Sequence, residues 1–552
     1  MNIVRWRIYL LLLLSAIVVI SQSSCNLFGK KVKHNIEITA EEDNFSEKLK
    51  TILPKPDSAT AAKLKGGRAE LYQTYKDIEY LPIWVKDGFV ATEGAKQFLK
   101  DLVDVKNDGL DPEKYHLSQL NKLISKLDSP RHDLNLALAF DTLATLSYIN
   151  VTRDLYLGAI NPKKVDSLWA HANDSDWAAT KQLSLNVAKY YPINNYRSKV
   201  VTYGLLRDEY KKFCELEGDS TYVHAKNAIT NLAGGQDSEY IADIQYIIKK
   251  ELGNEISTKN DSIDLLAGLL SAYQYYNGLK VSGELDSATI GTLCLETTER
   301  LLKLSANMER VRWMQQSFGD RYIIVDIPLM EFFLREKEAD SMHMRVVVGK
   351  FTRQTPSIFA HMSNVILNPR WEVPPTIIKQ DVLPGIQKSG KKYLAKKGLR
   401  AFDRNGNAVS ADMVNAKNYR RFSYRQAPGN DNALGNIKFN IPNPFDVYMH
   451  DTPHRTDFGK RERALSSGCV RLGAPRDLAL YVFNKIEKMS MSEEKMDRVI
   501  KTHKTQWYVV KNKIPVHFTY LTTFEDSTKG HLRYLHDVYG RDVKLVAALG
   551  KK

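Results

Sequence analysis

The spacing of apolar residues changes near residue 318, and this change divides the chain into two kinds of structure. Before it, apolar side chains recur at helical spacing, as in Leu136, Phe140, Leu143 and Leu146. After it, short β-branched runs bounded by turn residues predict strands at 322–328, 344–349, 365–369 and 446–450. Because 552 residues are too many for one core, we predict an α+β multidomain protein, helical in its N-terminal half and β-rich in its C-terminal half.

The composition is typical of a folded protein with a basic surface. Hydrophobic residues make up 43% of the chain and charged residues 26%, which excludes disorder as its main state. Lys and Arg number 79 against 64 Asp and Glu, for a formal net charge of +15. This charge favours polyanionic partners such as lipid headgroups or an anionic cell wall, although a solvated basic surface explains it equally. The chain has no zinc-finger spacing, RNP-like run or basic heptad, so we predict no nucleic-acid partner.

The first 25 residues have the features of an export signal. Arg5 and Arg7 precede an uncharged run over 8–20, and small residues lead to Cys25. The run is shorter than the roughly twenty apolar residues that a membrane-spanning helix needs. Cys25 follows two serines and is a candidate for lipid attachment, with a simply cleaved or an uncleaved signal as the alternatives. We therefore expect the N-terminus to tether the protein to a membrane.

Pattern and composition predict the remaining boundaries. The segments are a signal at 1–25, a polar linker at 26–60, a helical scaffold at 61–232, a compact helical unit at 236–300 and a β-rich domain at 306–545. Within the last, a Lys-rich segment at about 376–425 interrupts the strand pattern and is predicted to cap a cleft. Cys214 and Cys294 lie in apolar helical contexts, which are compatible with buried thiols or with a disulfide. The cysteines lack metal-ligand spacing, so no metal or other cofactor is predicted.

The unit at 236–300 resembles the peptidoglycan-binding domain pattern. In that pattern a helix ends in F-Q-x-x-x-G-L and is followed by D-G-x-x-G/D-x-x-T. Here Tyr273 takes the place of the Phe and Ser282 the place of the first Asp, while Asp286 and Thr289 match. A helical packing module without a ligand explains the same residues, so glycan binding by this unit and simple packing both stay open.

One cysteine has the neighbours of a reactive thiol. Fifteen residues separate His450, at the end of a predicted strand, from Ser466 in the run Ser-Ser-Gly-Cys-Val-Arg-Leu. A thiolate needs a basic or cationic neighbour, and imidazole is the usual one. Gly468 permits a sharp turn that brings backbone N–H groups toward Cys469. A buried structural thiol is the ordinary alternative, but the neighbours of Cys469 are Ser, Gly and Arg rather than aliphatic residues.

These residues resemble the catalytic motif of YkuD-type L,D-transpeptidases, in which a His is followed after a similar gap by Ser/Thr-His-Gly-Cys, an aliphatic residue and Arg or Asn. Gly468, Cys469, Val470 and Arg471 match in place, whereas Ser467 occupies the position of the motif's second His. The context resembles the large multidomain branch of that family, which has a peptidoglycan-binding-like domain and a capping insertion. The segments that carry this second resemblance are 368–376, 425–435 and 450–453.

The resemblance implies a peptidoglycan L,D-transpeptidase, a cysteine acyltransferase that forms 3→3 cross-links. Cys469 would attack a donor stem tetrapeptide and form a thioacyl-enzyme with release of D-Ala. His450 would be the base, the Asp451 carbonyl would orient its imidazole, and the N–H groups of Gly468 and Cys469 would stabilise the oxyanion. Three further residues would bind substrate, namely Arg471, Ser467 and Trp371, although Arg471 in a loop-bracing ion pair and Trp371 in a core are equally compatible with the sequence.

Two other functions fit the same features. A non-catalytic lipoprotein would use the β-rich domain only to bind peptidoglycan, and a Cys-dependent carboxypeptidase or endopeptidase would trim stem peptides with water as the acceptor. In each case we expect a bacterial cell-envelope protein that faces the periplasm, with peptidoglycan stem peptides as partner. The sequence leaves open the oligomeric state, the diamino acid and the choice of membrane.

Overall fold

The computed structural model describes residues 39–53, 67–130, 132–171, 177–185, 190–230, 240–253, 263–314, 316–337, 339–526 and 531–550. The predicted signal segment and Cys25 lie outside the described residues. Within them the fold class is confirmed, because a helical N-terminal region precedes a β-rich C-terminal domain.

The first part of the fold is a group of helices around one long central helix. Its elements are α1 (Ala40–Ile52), α2 (Arg68–Asp77), β1 (Val85–Lys86), β2 (Val90–Ala91), α3 (Glu93–Asp104), α4 (Leu117–Ile124), α5 (Leu134–Leu157), α6 (Pro162–Val165), β3 (Trp169–Ala170) and α7 (Ala179–Leu185). The central helix α5 is long and apolar enough to cross a membrane. However, Phe140, Tyr148 and Ile149 of α5 are completely buried against the other helices, which is the arrangement of a core helix.

Helix α1 lies inside the segment predicted as a linker. Thr39 and Glu42 cap its N-terminus reciprocally, since each side chain accepts a hydrogen bond from the backbone N–H of the other. Phe45 and Leu49, four residues apart, are completely buried in the same core as α5. The prediction of a polar linker at 26–60 is therefore wrong for residues 39–53, where a capping box and one apolar stripe were sufficient to add a helix.

A second group of helices has a core of its own. These helices are α8 (Val201–Glu217), α9 (Ser220–Thr230), α10 (Ile241–Leu252), α11 (Ile263–Tyr276), α12 (Ser287–Leu293) and α13 (Thr297–Arg312). Residues of 201–230 and of 241–318 share one hydrophobic cluster, which also includes side chains of the C-terminal half. Residues 201–230, assigned to the scaffold from sequence, thus pack with the predicted helical unit and not with the core around α5.

The residues that matched the peptidoglycan-binding pattern organise a tight turn. Gln274 is completely buried. Its Oε1 accepts the N–H groups of Ser282 and Gly283 at 2.8 and 3.0 Å, and its Nε2 donates to the Glu284 carbonyl at 2.7 Å. Asp286 caps α12 by accepting the Thr289 N–H at 2.8 Å. These hydrogen bonds explain why this pattern needs its Gln and Asp, and glycan binding by the unit stays a prediction.

The C-terminal half is built on one large sheet. Its strands, with those of a smaller sheet and a hairpin, are β4 (Arg321–Asp326), β5 (Glu331–Glu336), β6 (Ala339–Gly349), β7 (Ser357–Leu367), β8 (Trp371–Glu372), β9 (Arg400–Phe402), β10 (Ala408–Val409), β11 (Ser423–Gln426), β12 (Ile437–Asn440), β13 (Met449–His450), β14 (Ala464–Ser466), β15 (Val470–Leu472), β16 (Gln506–Thr519), β17 (Thr523–Asp526) and β18 (His531–Tyr534). In the large sheet the order is β12-β13-β15-β6-β5-β4-β16-β7-β3, and β12 also pairs with β7, which brings the two ends together. Strand β3 of the helical region thus extends the sheet of the C-terminal domain.

The capping segment is a small folded unit between β7 and β12. It contains α14 (Pro375–Ile377), a π turn (Ile378–Val382), α15 (Leu383–Ser389) and α16 (Lys391–Lys396), together with the sheet β10-β9-β11-β8. Val382, Ile386, Leu394 and Tyr424 form its separate core. The unit begins at β8 and ends at β11, and we call residues 371–426 the cap. The helices α17 (Pro475–Tyr481), α18 (Glu493–Lys501) and α19 (Arg541–Gly550) complete the fold.

A buried ionic cluster on α13 joins the first group of helices to the second. Glu309 has no exposed surface and pairs with Arg312 at 2.9 Å. The Glu309 carboxylate also accepts the Ile160 N–H at 2.6 Å, and Arg312 donates to the Tyr203 hydroxyl at 3.0 Å and to the Asp108 carbonyl. Three separate segments therefore depend on one ion pair.

Replacing Glu309 with Ala should strongly destabilise the protein. The change leaves the buried Arg312 charge without its carboxylate, and breaking a buried pair from one side costs roughly 3–5 kcal/mol. Urea denaturation of the variant measures the loss. The control is Glu299→Ala, which removes an exposed carboxylate from the same helix. Equal losses in the two variants would contradict the assigned role of the cluster.

Candidate active site

The pairing of two short parallel strands places His450 beside Cys469. In the register of β13 and β15, Met449 lies opposite Val470 and His450 opposite Arg471. The Val470 N–H donates to the Tyr448 carbonyl at 3.0 Å, which continues the pairing by one residue. Cys469 is the residue directly before β15. The fifteen residues between His450 and Ser466 therefore form a connection that brings the chain back beside β13.

The turn that presents Cys469, which we call the nucleophile loop (466–469), is held by its own polar groups. Gly468 has a φ of +116°, a conformation that side-chain-bearing residues rarely adopt. The Ser466 hydroxyl accepts the Gly468 N–H at 3.1 Å and donates to the Cys469 carbonyl at 2.6 Å. Thr355 anchors the loop from outside by donating to the Gly468 carbonyl at 2.8 Å. The loop is therefore rigidly placed at the end of the sheet.

The backbone donors near the sulfur differ in their availability. The Gly468 N–H, predicted to stabilise an oxyanion, already donates to Ser466 Oγ. The Cys469 N–H has no hydrogen-bond partner among the residues that the structure describes. The Cys469 N–H is thus the ready donor, and a role for Gly468 requires it to exchange its bond to Ser466.

His450 is buried and oriented by the backbone. Its Nδ1 donates to the Asp451 carbonyl at 2.5 Å, which is the arrangement expected from sequence. Burial lowers the pKa of His450 to about 3, and the positive charges of Arg471 and Lys438 act in the same direction. The imidazole is therefore uncharged near neutral pH. Among the described contacts no hydrogen bond joins the ring to Cys469, so a proton transfer between them requires the two side chains to move together.

Cys469 is a thiol at rest. Burial raises its pKa, against the hydrogen bonds from the N–H and hydroxyl of Tyr448 and the positive charges of Lys438 and Arg471. Sequence reasoning named His450 as the basic or cationic neighbour of the sulfur. The structure assigns that part to Lys438 and Arg471, because the buried imidazole is uncharged.

Two residues of the site were missed from sequence, Lys438 and Tyr448. Lys438 lies opposite His450 in the pairing of β12 with β13, and its Nζ sits 3.8 Å from the centre of the Tyr448 ring. The Tyr448 ring also packs on His450, with centroids 5.7 Å apart. The sequence offered one signal for Lys438, which is its position between two buried apolar residues, Ile437 and Phe439. Which groups its side chain faces depends on strand pairing, which the sequence does not show.

The side chain of Asp451 shapes the turn that directly precedes β12. Its carboxylate accepts the Asn436 N–H at 2.9 Å and pairs with Arg455 at 3.2 Å. A Cβ on Gly435 would lie 2.4 Å from the same carboxylate, and the φ of Gly435 is +60°. The Leu-Gly step of the sequence motif is therefore required by close packing against Asp451.

The predicted substrate residues lie around the nucleophile loop in different environments. Arg471 pairs with Asp457 at 3.3 Å, which is the loop-bracing arrangement considered from sequence. Ser467 is exposed, and its Oγ accepts a hydrogen bond from Arg353 at 2.9 Å. Trp371 is half-buried in β8 and donates to the Tyr448 hydroxyl, so it connects the cap with the catalytic sheet.

A cavity of about 780 Å³ opens beside the loop. It is lined by residues of four regions: Asp166 and Leu168 near β3, Arg353 and Phe351 after β6, Ser467 and Gly468, and Arg541 and Lys544 of α19. The cap adds Thr376 and Gln380. Within the described residues no group of three or more His, Cys, Asp or Glu is arranged to hold a metal ion. Cys214 and Cys294 are both free thiols.

Comparison with protein families identifies two regions of the chain. Residues 320–515 match the model of the YkuD L,D-transpeptidase catalytic domain, and residues 69–208 match a scaffold domain. A curated Haemophilus influenzae protein named "Putative L,D-transpeptidase" is 33% identical over 243 residues, which are 44% of this chain and 48% of that protein. The chain thus matches about half the length of this relative. The predicted resemblance to L,D-transpeptidases is confirmed.

Solved structures with some similarity include L,D-transpeptidases of two bacteria. The Mycobacterium smegmatis enzyme is 15% identical with a TM-score of 0.18, over 36% of this chain and 58% of that chain. A mutant of the Enterococcus faecium enzyme is 12% identical with a TM-score of 0.17, over 41% of this chain and 65% of that chain. These scores add nothing to the assignment, which depends on the sequence matches.

Substitution of Lys438 should make the Cys469 thiol less acidic. Removing the positive charge in Lys438→Gln, or the hydroxyl in Tyr448→Phe, removes a group that favours the thiolate. The pKa of Cys469 should rise further, by about one unit for a neighbouring charge. The pH profile of alkylation by iodoacetamide measures it, and the midpoint should move to higher pH. Lys513→Gln, an exposed lysine of β16, is the control. An unchanged midpoint in Lys438→Gln would show that this cation does not act on the sulfur.

Proposed function

We propose that this chain, which carries a YkuD-type L,D-transpeptidase catalytic domain over residues 320–515, cross-links peptidoglycan stem peptides through a thioacyl-enzyme on Cys469. The observation that carries the proposal is the pairing of β13 with β15, which places His450 at the end of β13 and Cys469 directly before β15. A rigid loop, a neutral base and a free backbone donor meet there at the edge of a cavity.

Acylation begins from a thiol and a neutral imidazole. As the donor carbonyl approaches, the Cys469 proton passes to His450 and the sulfur attacks the carbonyl carbon. The Asp451 carbonyl stabilises the imidazolium that forms, and Lys438 and Tyr448 stabilise negative charge on the sulfur. The Cys469 N–H donates to the oxyanion. Collapse of the tetrahedral intermediate breaks the bond to D-Ala, whose amine takes the proton from His450.

Deacylation reverses these roles. The side-chain amine of a neighbouring stem attacks the thioester, and His450 accepts a proton from this amine. The sulfur leaves and regains its proton, and a 3→3 cross-link remains. If water attacks in place of the amine, the same enzyme acts as a carboxypeptidase. The buried setting of the site favours the amine acceptor, because it limits the access of water to the thioester.

We also propose a location for this reaction. The N-terminal segment would export the protein and tether it at the membrane, with the catalytic domain facing the periplasm. Lipid attachment at Cys25 is one form of such a tether. Mass spectrometry of the N-terminal peptide from envelope fractions tests it.

Replacing Cys469 with Ala should abolish cross-linking and leave the fold intact. The substitution removes the nucleophile but none of the backbone hydrogen bonds of the nucleophile loop. We expect loss of 3→3 muropeptides in cells that depend on this protein, and loss of thioester formation in vitro. Unchanged 3→3 cross-links would favour a non-catalytic wall-binding protein. Product analysis with and without an acceptor amine separates the two activities. A transpeptidase gives cross-linked product when the amine is present, whereas a carboxypeptidase gives the tripeptide in both cases.

Substitution of His450 should lower the rate and spare substrate binding. His450→Gln keeps a polar side chain near the Asp451 carbonyl but cannot accept the proton, so kcat should fall by about 10²–10⁴-fold with KM nearly unchanged. Steady-state kinetics with a tetrapeptide donor and an amine acceptor measure both constants. A loss confined to KM would show that His450 binds substrate and does not act as the base.

A further inference from the structure

The guanidinium of Arg353 connects the cap with the nucleophile loop. Its Nη1 and Nη2 donate to the two carboxylate oxygens of Asp381, each at 2.6 Å, and its Nε donates to Gln380 Oε1 at 2.5 Å. Nη1 also donates to Ser467 Oγ at 2.9 Å. Asp381 and Gln380 belong to the π turn of the cap, and Ser467 is two residues before Cys469. One side chain is thus bound both to the cap and to the loop that carries the nucleophile.

Arg353 also lines the cavity in which a substrate would lie. Arg353, Ser467 and Gly468 form one side of the 780 Å³ space, and Gln380 closes it from the cap. The two other basic residues of the lining differ from Arg353. Arg541 is occupied by Asp166 at 3.2 Å and by the Thr355 carbonyl, and Lys544 is exposed on α19. Of the three basic lining residues, Arg353 is the one with a described hydrogen bond to the nucleophile loop, through Ser467.

The pair between Arg353 and Asp381 has the geometry of carboxylate recognition. Two parallel N–H···O bonds are the arrangement in which arginine binds a carboxylate ligand. The side chain of Arg353 is 11% exposed, whereas that of Asp381 is 40% exposed. The arginine is thus largely buried, and the carboxylate of Asp381 reaches it from the solvent-facing side. Because Asp381 faces solvent, a second carboxylate with the same two-oxygen geometry can approach Arg353 from that side and compete with Asp381 for the guanidinium.

We infer that Arg353 is the receptor for a free carboxylate of the donor peptide, and that Asp381 occupies this receptor in the absence of substrate. The inference rests on the proposed function and adds to it a recognition element for acidic peptides. When the substrate carboxylate binds, Asp381 leaves Arg353 and the cap loses this contact. Ser467 keeps its hydrogen bond to Arg353, which holds the bound peptide in register with Cys469.

The position of Ser467 agrees with this arrangement. The general motif has a histidine there, whereas here Ser467 Oγ accepts a hydrogen bond from Arg353 Nη1. A serine accepts the N–H of the guanidinium and leaves its other donors to a carboxylate. Arg353 is a substrate-binding residue in this account, and Asp381 is its internal competitor.

The test uses donor tetrapeptides that differ only in which carboxylate is amidated. For the wild-type protein, amidation of one carboxylate should raise KM about tenfold or more and leave kcat nearly unchanged. Arg353→Gln should show the higher KM with both forms of that peptide. Asp381→Asn should lower KM severalfold for the free carboxylate only. The matched control is Asp412→Asn, which removes a cap carboxylate paired with Lys391 at 2.7 Å.

Equal changes for the free and amidated peptides in Arg353→Gln and Asp381→Asn would overturn the inference, because a purely structural contact acts on both alike. Arg353→Lys, which keeps the charge without the fork, provides a second variant if Arg353→Gln does not fold. Titration calorimetry of the free and amidated peptides with Cys469→Ala measures binding without the reaction, and it separates the receptor hypothesis from the proposed function. A carboxylate preference that needs Arg353, in a protein whose wild type forms no thioester, would refute the proposed function alone. Thioester formation without such a preference would refute the receptor alone.

Discussion

The parallel pairing of β13 with β15 is the contact on which the site depends. It joins two segments that the sequence separates by a long polar loop, and it fixes which side chains face each other. Strand β12 then adds Lys438 from the other side, and β6 supports the nucleophile loop through Gly349 and Lys350. A shift of one residue in either pairing would turn His450 away from the sulfur, because neighbouring residues of a strand point to opposite faces.

Burial decides the charge states of this site. Both Cys469 and His450 are driven toward their neutral forms, so the resting protein holds a thiol and an imidazole and not an ion pair. The positive charges of Lys438 and Arg471 have opposite effects on the two groups. They disfavour the imidazolium and favour the thiolate.

The surrounding units supply the cavity and its cover. The helical region is tied to the sheet by β3, which pairs with β7, and the buried cluster of Glu309 and Arg312 holds the two groups of helices together. The cap is folded around its own core. It is linked to the nucleophile loop by Arg353, which binds Asp381 and Ser467, and it contacts Tyr448 through Trp371. Residues from several distant parts of the chain, including the cap, therefore border one space beside the nucleophile loop.

Local sequence determined the fold class, the strand runs of the C-terminal half and the pair of Cys469 and His450. These features depend on hydrophobic spacing and on a short motif, both of which are written in neighbouring residues. The wrong linker prediction at α1 also concerns local features, because a capping box and one apolar pair are enough to form a helix in a stretch that is otherwise polar. The matching Gln and Asp of the helical unit also had a local reason, because they bind the backbone of a nearby turn.

The tertiary structure alone decided which charges act on the sulfur and which residues border the cavity. Lys438, Tyr448 and Arg353 come from strands and turns that are distant from Cys469 in sequence, and only strand pairing and cap docking bring them close. The neutral state of His450 likewise depends on burial, which no motif reports. The physical reason is that pairing register and desolvation are properties of the assembled sheet, and they arise between segments and not within them.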